Sequence, residues 1–117
     1  MTHELPYTFC GLPAIPYKEA KTVILPIPHE MTVSFKRGTR FGPEGVILAS
    51  RFMETWDEET GIDAERCDIL TLPAIEPETG SSRQMLRRIE QSAEHHLQKK
   101  KFLCSLGGEH SITFPLV

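Results

Sequence analysis

Gly107-Gly108-Glu109-His110-Ser111 follows directly on the apolar run Phe102-Leu103-Cys104-Ser105-Leu106. Two glycines let a backbone turn sharply with no side chain in the way. The acid and the imidazole behind them then stand at the carboxyl end of a buried strand, where open parallel sheets hold their ligands. Neutral imidazole is a common ligand for transition metals, which makes His110 the leading metal-ligand candidate. The same ring also suits a helix cap or a bond to backbone, and spacing alone leaves both readings open. Glu109 suits either support of a ligand from behind or, as the default, an acid in a first helical turn.

The remaining candidates are weaker. His29 and Glu30 lie just past a first apolar strand and share the carboxyl edge with His110, as a substrate-loop contact or as ordinary loop polarity. His95 and His96 are adjacent in a helical stretch, and neighbouring helix positions diverge too far to chelate one ion easily. A solvated surface is expected for both. His3 carries no signal. Lys36-Arg37-Gly38-Thr39-Arg40 is basic enough to attract an anion but lacks the lysine and hydroxyl order of a P-loop. It reads as a tight turn setting the next helix, with Arg40 making structural hydrogen bonds. There is no G-x-G-x-x-G, no serine-nucleophile elbow and no paired-cysteine zinc spacing.

The elements that position these groups alternate. Residues 1–20, with Pro6, Gly11, Pro13 and Pro16, read as an irregular extended arm. Val23-Ile24-Leu25 and Ile27 form a first strand that Pro26 and Pro28 carry out of the sheet. Gly42-Pro43-Glu44 opens a helix, with proline in the first turn and an acid at the positive dipole end. Val46, Ala49, Met53 and Trp56 give that helix a buried face, and Asp57–Gly61 ends it. Cys67–Leu72 is a second strand closed by Pro73. Ser81 and Gln84 make a capping box for a long helix striped by Met85, Ile89, Ala93 and Leu97, with Leu86 beside them. Lys99, Lys100 and Lys101 suit its C-terminus. Phe102–Leu106 is the third strand, and Ser111 caps a further helix. Strands alternating with helices imply crossovers and a parallel sheet.

The 117 residues are one domain at most, 39% apolar and 25% charged, which reads as globular. A net charge of −3 leaves no electrostatic footprint for nucleic acid or an acidic membrane surface. No apolar run approaches the roughly 20 residues of a membrane helix. The start Met1-Thr2-His3-Glu4 has no signal-peptide pattern. Cys10, Cys67 and Cys104 are an odd, widely spaced set, with Cys104 read as a small buried hydrophobe. They favour a reducing, cytoplasmic setting.

Leu106-Gly107-Gly108-Glu109-His110-Ser111-Ile112-Thr113 closely resembles the first metal-binding motif of the ureohydrolases, the arginase and agmatinase family. Gly38-Thr39-Arg40-Phe41-Gly42-Pro43 resembles the family's N-terminal signature, and the two occur in its order and at about its separation. Trp56–Gly61 and Cys67-Asp68-Ile69 fall where members carry similar sequence, so the resemblance covers most of residues 20–117. Thr32-Val33-Ser34-Phe35, with the Gly-Gly-Glu-His form, is more similar to bacterial or archaeal agmatinases than to arginases.

The resemblance implies a three-layer α/β/α fold with a mostly parallel sheet, incomplete in this chain. It implies a binuclear manganese centre that holds hydroxide near neutral pH and hydrolysis of agmatine to putrescine and urea, a step toward polyamines. It also implies a homo-oligomer, trimer or hexamer. His110 corresponds to the motif's histidine ligand; Glu109 is not carried over as a ligand, and no catalytic or cofactor-binding residue is assigned. The family's Asp-Ala-His-x-Asp run and its later Asp-x-Asp run do not occur in the sequence. Residues 1–117 are therefore expected to be a truncated, N-terminal part of one ureohydrolase domain, inactive alone. The alternatives are a non-catalytic α/β remnant with an interaction role, or an arginase or guanidinobutyrase in place of an agmatinase.

Overall fold

In a computed structural model describing residues 5–31, 38–77 and 80–117, the chain folds around one strand, β1 (Thr22–Ile27), buried from Val23 to Ile27. A continuous apolar run of this kind marks a parallel strand covered on both faces. Its neighbours are β4 (Ile69–Thr71) and β5 (Phe102–Gly107), both parallel, in the order β4-β1-β5. Thr22 pairs with Ile69 on one side and Phe102 on the other.

Pro26 does not leave the sheet. It is buried within β1 opposite Leu106, and its carbonyl accepts a hydrogen bond from Ile75 N at 3.0 Å. Residues of β4 pair with β1 only as far as Ile24. The N–H that proline lacks therefore costs no ladder bond, because β4 has already ended.

Two main helices cover the sheet. In α2 (Ser82–Gln98) Ser81 Oγ accepts the Gln84 N–H at 3.1 Å, the expected N-cap. Met85, Ile89 and Ala93 are buried as expected. Leu97 is not: it is 54% exposed, and His96 takes the buried place one turn from Ala93. Met85 and Ile89 join Leu25, Ile27, Ile75 and Ile112 in the main core.

The expected face of α1 (Gly42–Ser50) is wrong. Its buried residues are Pro43, Ile47 and Ser50, whereas Val46, Met53 and Trp56 are 44%, 64% and 55% exposed. The helix stops at Ser50, which is tied down: Ser50 Oγ donates to the Ile47 carbonyl and accepts from Cys10 N at 2.8 Å. Trp56 belongs instead to a short antiparallel ribbon of β2 (Trp56–Asp57) and β3 (Ile62–Asp63). Asp57, expected to end the helix, accepts from Glu59 N and Thr60 Oγ1 and so holds the ribbon's turn. Those bonds, the Thr60 hydroxyl first, hold its carboxyl below the usual range.

The N-terminal arm is irregular but docked. Short 3₁₀ turns at Phe9–Gly11 and Tyr17–Glu19 bury Leu12 and Ala20 nearby. Phe9 N also donates to Thr71 Oγ1 at 2.9 Å. All three cysteines are half-buried and free, so Cys104 is less deeply placed than expected. The Lys101 N–H bonds the His96 carbonyl at the end of α2, but its ammonium turns to the arm and donates to the carbonyls of Tyr17 and Ala20 at 2.8 and 2.6 Å.

Candidate functional site at the carboxyl edge of the sheet

β1 and β5 end side by side, and the turns that leave them are packed together. Gly108 takes φ +66°, and a β-carbon there would collide with the Ile27 carbonyl and the His29 backbone. A β-carbon on Gly42 would stand 2.9 Å from the Gly107 carbonyl oxygen, so glycine also lets the start of α1 settle against this turn. Beyond Gly108 a 3₁₀ turn, His110–Ile112, leads into α3 (Thr113–Leu116). Ser111 lies inside that turn and does not cap it; the residue at the N-cap is Glu109.

Glu109 is buried, with 6% exposure. Its N–H donates to the His29 carbonyl at 2.8 Å, so the two strand ends are joined through backbone. One carboxylate oxygen, Oε2, accepts from Met31 N at 2.9 Å; the other, Oε1, accepts from Ser111 Oγ at 2.7 Å. The default reading, an acid in a first helical turn, is thus replaced by a buried acceptor between two loops. His29 is 2% exposed; its Nε2 has no hydrogen-bond partner among the described residues and stands 3.7 Å from Glu109 Oε1. His110, by contrast, is exposed. It borders an open cleft of about 610 Å³ with Ser111, Thr113, Phe114 and Val117.

Glu30 closes the other side of the loop after β1. Its carboxylate accepts from the N–H groups of Gly38 and Thr39, from the Thr39 hydroxyl, and from Arg40 Nη1 at 2.9 Å. These donors, the Gly38 N–H first, hold its carboxyl below the ordinary glutamate range. Arg40 therefore makes the structural bonds expected of it, and its guanidinium also lies 4.8 Å from the Phe41 ring centroid. Lys36, Arg37 and Thr32–Phe35, like His3, lie outside the described residues.

The structure thus brings His29, Glu30, Glu109 and His110 to one edge and leaves the α2 histidines elsewhere. His95 is exposed as expected, but His96 is buried against the arm, its Nδ1 2.7 Å from the Tyr17 hydroxyl. Burial first, then the His95 and Lys101 charges, push its pKa down. Sequence reasoning missed the roles of Glu30 and Glu109 as acceptors. The available signal for Glu30 was the nearby turn at Gly38, whose N–H groups call for an acceptor. Among the described residues no group of three or more His, Cys, Asp or Glu side chains is placed to hold a metal ion.

A family model described as the arginase family matches residues 20–117, the span that includes both strand ends and His110. The chain belongs to the arginase family. It is 40% identical over 102 residues to the N(1)-aminopropylagmatine ureohydrolase of Thermus thermophilus, covering 87% of this chain and 35% of that protein. It is 35% identical over 122 aligned positions to the agmatinase of Neisseria meningitidis, covering 95% and 38%. The crystal structure of agmatine ureohydrolase from Thermoplasma volcanium superposes with a TM-score of 0.81 at 29% identity, over 87% of this chain and 34% of that one. The chain thus spans little more than a third of the length of the curated relatives it matches, and its partial, parallel α/β sheet is the arginase-like fold.

Proposed function

We propose that residues 1–117 form the amino-terminal part of a single ureohydrolase domain that hydrolyses a guanidino substrate, with agmatine as the first choice and putrescine and urea as products. The observation that carries this reading is the Gly107–Ser111 turn. Within the family match it stands at the carboxyl edge of a parallel sheet and presents His110 to an open cleft.

His110 is the residue assigned to a metal, with manganese the expected ion. Its exposed imidazole suits one ligand position, but the described residues hold no complete donor set. A bound metal pair would supply hydroxide near neutral pH, and no step is assigned to these residues beyond His110 holding its place. The carboxylate of Glu109 is engaged by Met31 N and Ser111 Oγ, which fits a supporting role and not a ligand. A second substrate reading, N(1)-aminopropylagmatine, is favoured by the name of the Thermus relative. Three free thiols fit a cytoplasmic protein; a homo-oligomer is the expected assembly.

The test is urea release by an intact ureohydrolase domain containing these residues, offered agmatine, N(1)-aminopropylagmatine and arginine with manganese in modest excess. Agmatine or its aminopropyl derivative is expected to give the highest kcat/KM, and His110→Ala to lower urea release by more than about tenfold. The 117-residue polypeptide alone should release none and bind manganese weakly. A His110→Ala domain working at the wild-type rate ends the ligand assignment, and preference for arginine ends the substrate one.

A further inference from the structure

The geometry points to Glu109 as a positioning residue that locks the loop after β1 to the turn carrying His110. The inference rests on the reading of His110 given above. Four features support it. The Glu109 backbone is bonded to the His29 carbonyl, so the side chain starts from a fixed point between the two strand ends. Its two oxygens reach in different directions, Oε2 to Met31 N on one loop and Oε1 to Ser111 Oγ on the residue just after His110. The group is buried, where a hydrogen bond to a charged acceptor is stronger than in water and an unmet donor is costly. The Gly108 backbone lies close against Ile27 and His29, with no room there for a β-carbon.

His29 belongs to the same unit. Its buried Nε2 has no hydrogen-bond partner among the described residues and lies 3.7 Å from Glu109 Oε1, just outside bonding reach. The lock therefore has a defined chemical requirement: an acceptor toward Met31 N. The position toward Ser111 is less demanding, because a hydroxyl both donates and accepts. A glutamine fits that requirement without charge. Its carbonyl oxygen would face Met31 N, and its amide would donate to a rotated Ser111 hydroxyl, or to His29 Nε2 where that nitrogen is unprotonated. Alanine meets none of it.

The experiment compares Glu109→Ala, Glu109→Gln and Ser111→Ala by two readouts. Hydrogen exchange at the Met31 amide is followed in the intact domain and needs no metal or substrate. Steady-state kinetics of urea release are measured in the intact domain, well below its melting temperature. Glu109→Ala is expected to accelerate Met31 exchange roughly ten- to a hundredfold, the equivalent of one lost charge-assisted bond. It should also lower kcat with KM little changed, since the substrate contacts stay in place. Glu109→Gln should restore both toward wild type, and Ser111→Ala, a milder variant that keeps the Met31 bond, should lower kcat less than Glu109→Ala. Unchanged Met31 exchange in Glu109→Ala overturns the lock. A kcat as low in Glu109→Gln as in Glu109→Ala also overturns positioning, because charge and not geometry is then what matters. If the wild-type domain releases no urea, the ureohydrolase reading fails, while the exchange arm still decides whether Glu109 joins the two loops.

Discussion

The two faces of the sheet are built differently. On the α2 face a helix of 17 residues lays Met85 and Ile89, both fully buried, onto Leu25 and Ile27 of β1 and Ile112 beyond β5. On the α1 face a helix of nine residues contributes one fully buried apolar side chain, Ile47, flanked by Val46 and Leu48 at 44% and 40% exposure. The α2 face is held by side-chain packing. The α1 face depends more on polar ties to the arm, such as Cys10 N to Ser50 Oγ at 2.8 Å.

The largest expected effect probes the packed face. Ile89→Ala should destabilise the chain by about 2–5 kcal/mol, because it removes a buried side chain and leaves a cavity among residues that cannot all collapse inward. Urea melts of the two proteins check it, and a change below about 1 kcal/mol would contradict the claim that α2 carries the core.

The next effect is pH-dependent and belongs to the arm. His96 faces Tyr17 of the arm, its own neighbour His95, and Lys101 at the start of β5. Its pKa is lowered in the fold, so the unfolded chain binds the proton more readily. The stabilisation is therefore fully present above the ordinary value of 6.5 and is lost as pH falls below it. Melting temperature should drop between neutral pH and pH about 5.5, and His96→Gln should flatten that slope. Equal slopes in the two proteins would show that the imidazole is not held neutral. The smallest effect sharpens the contrast from the α1 side. Met53→Gln, at a position the sequence reads as buried and the structure leaves 64% exposed, should change stability by no more than about 0.5 kcal/mol.

These differences also explain what was legible in the sequence. The α2 cap and three of its four stripe positions are readable because, Leu86 apart, polar residues separate Met85, Ile89 and Ala93, so one face stands out. In α1 the run Val46-Ile47-Leu48-Ala49 is apolar all round, and nothing in a run of this kind says which side meets the sheet. The three strands of the main sheet, their parallel sense and the placing of His110 at the carboxyl edge followed from alternation of elements and from the Gly107-Gly108 turn. Glu109 was not legible as an acceptor, because one of its donors is the N–H of Met31, far away in the sequence, which no residue type announces; Glu30 had a nearer signal in the Gly38 turn. His96 was misjudged because its partner, Tyr17, lies far away in the sequence and belongs to an arm read only as irregular and extended.

The central position of β1 has a kinetic consequence. Its partners arrive late: Thr22 meets Ile69 and then Phe102, and both pairings are parallel. Neither can zip up from a tight turn, so each must close a long loop before any contact rewards it. The β2–β3 ribbon and α2 need only nearby residues and can form on their own timescale. The bond from Glu109 to His29 waits for the last of these closures. The edge that presents His110 thus depends on a closure between residues far apart in the chain.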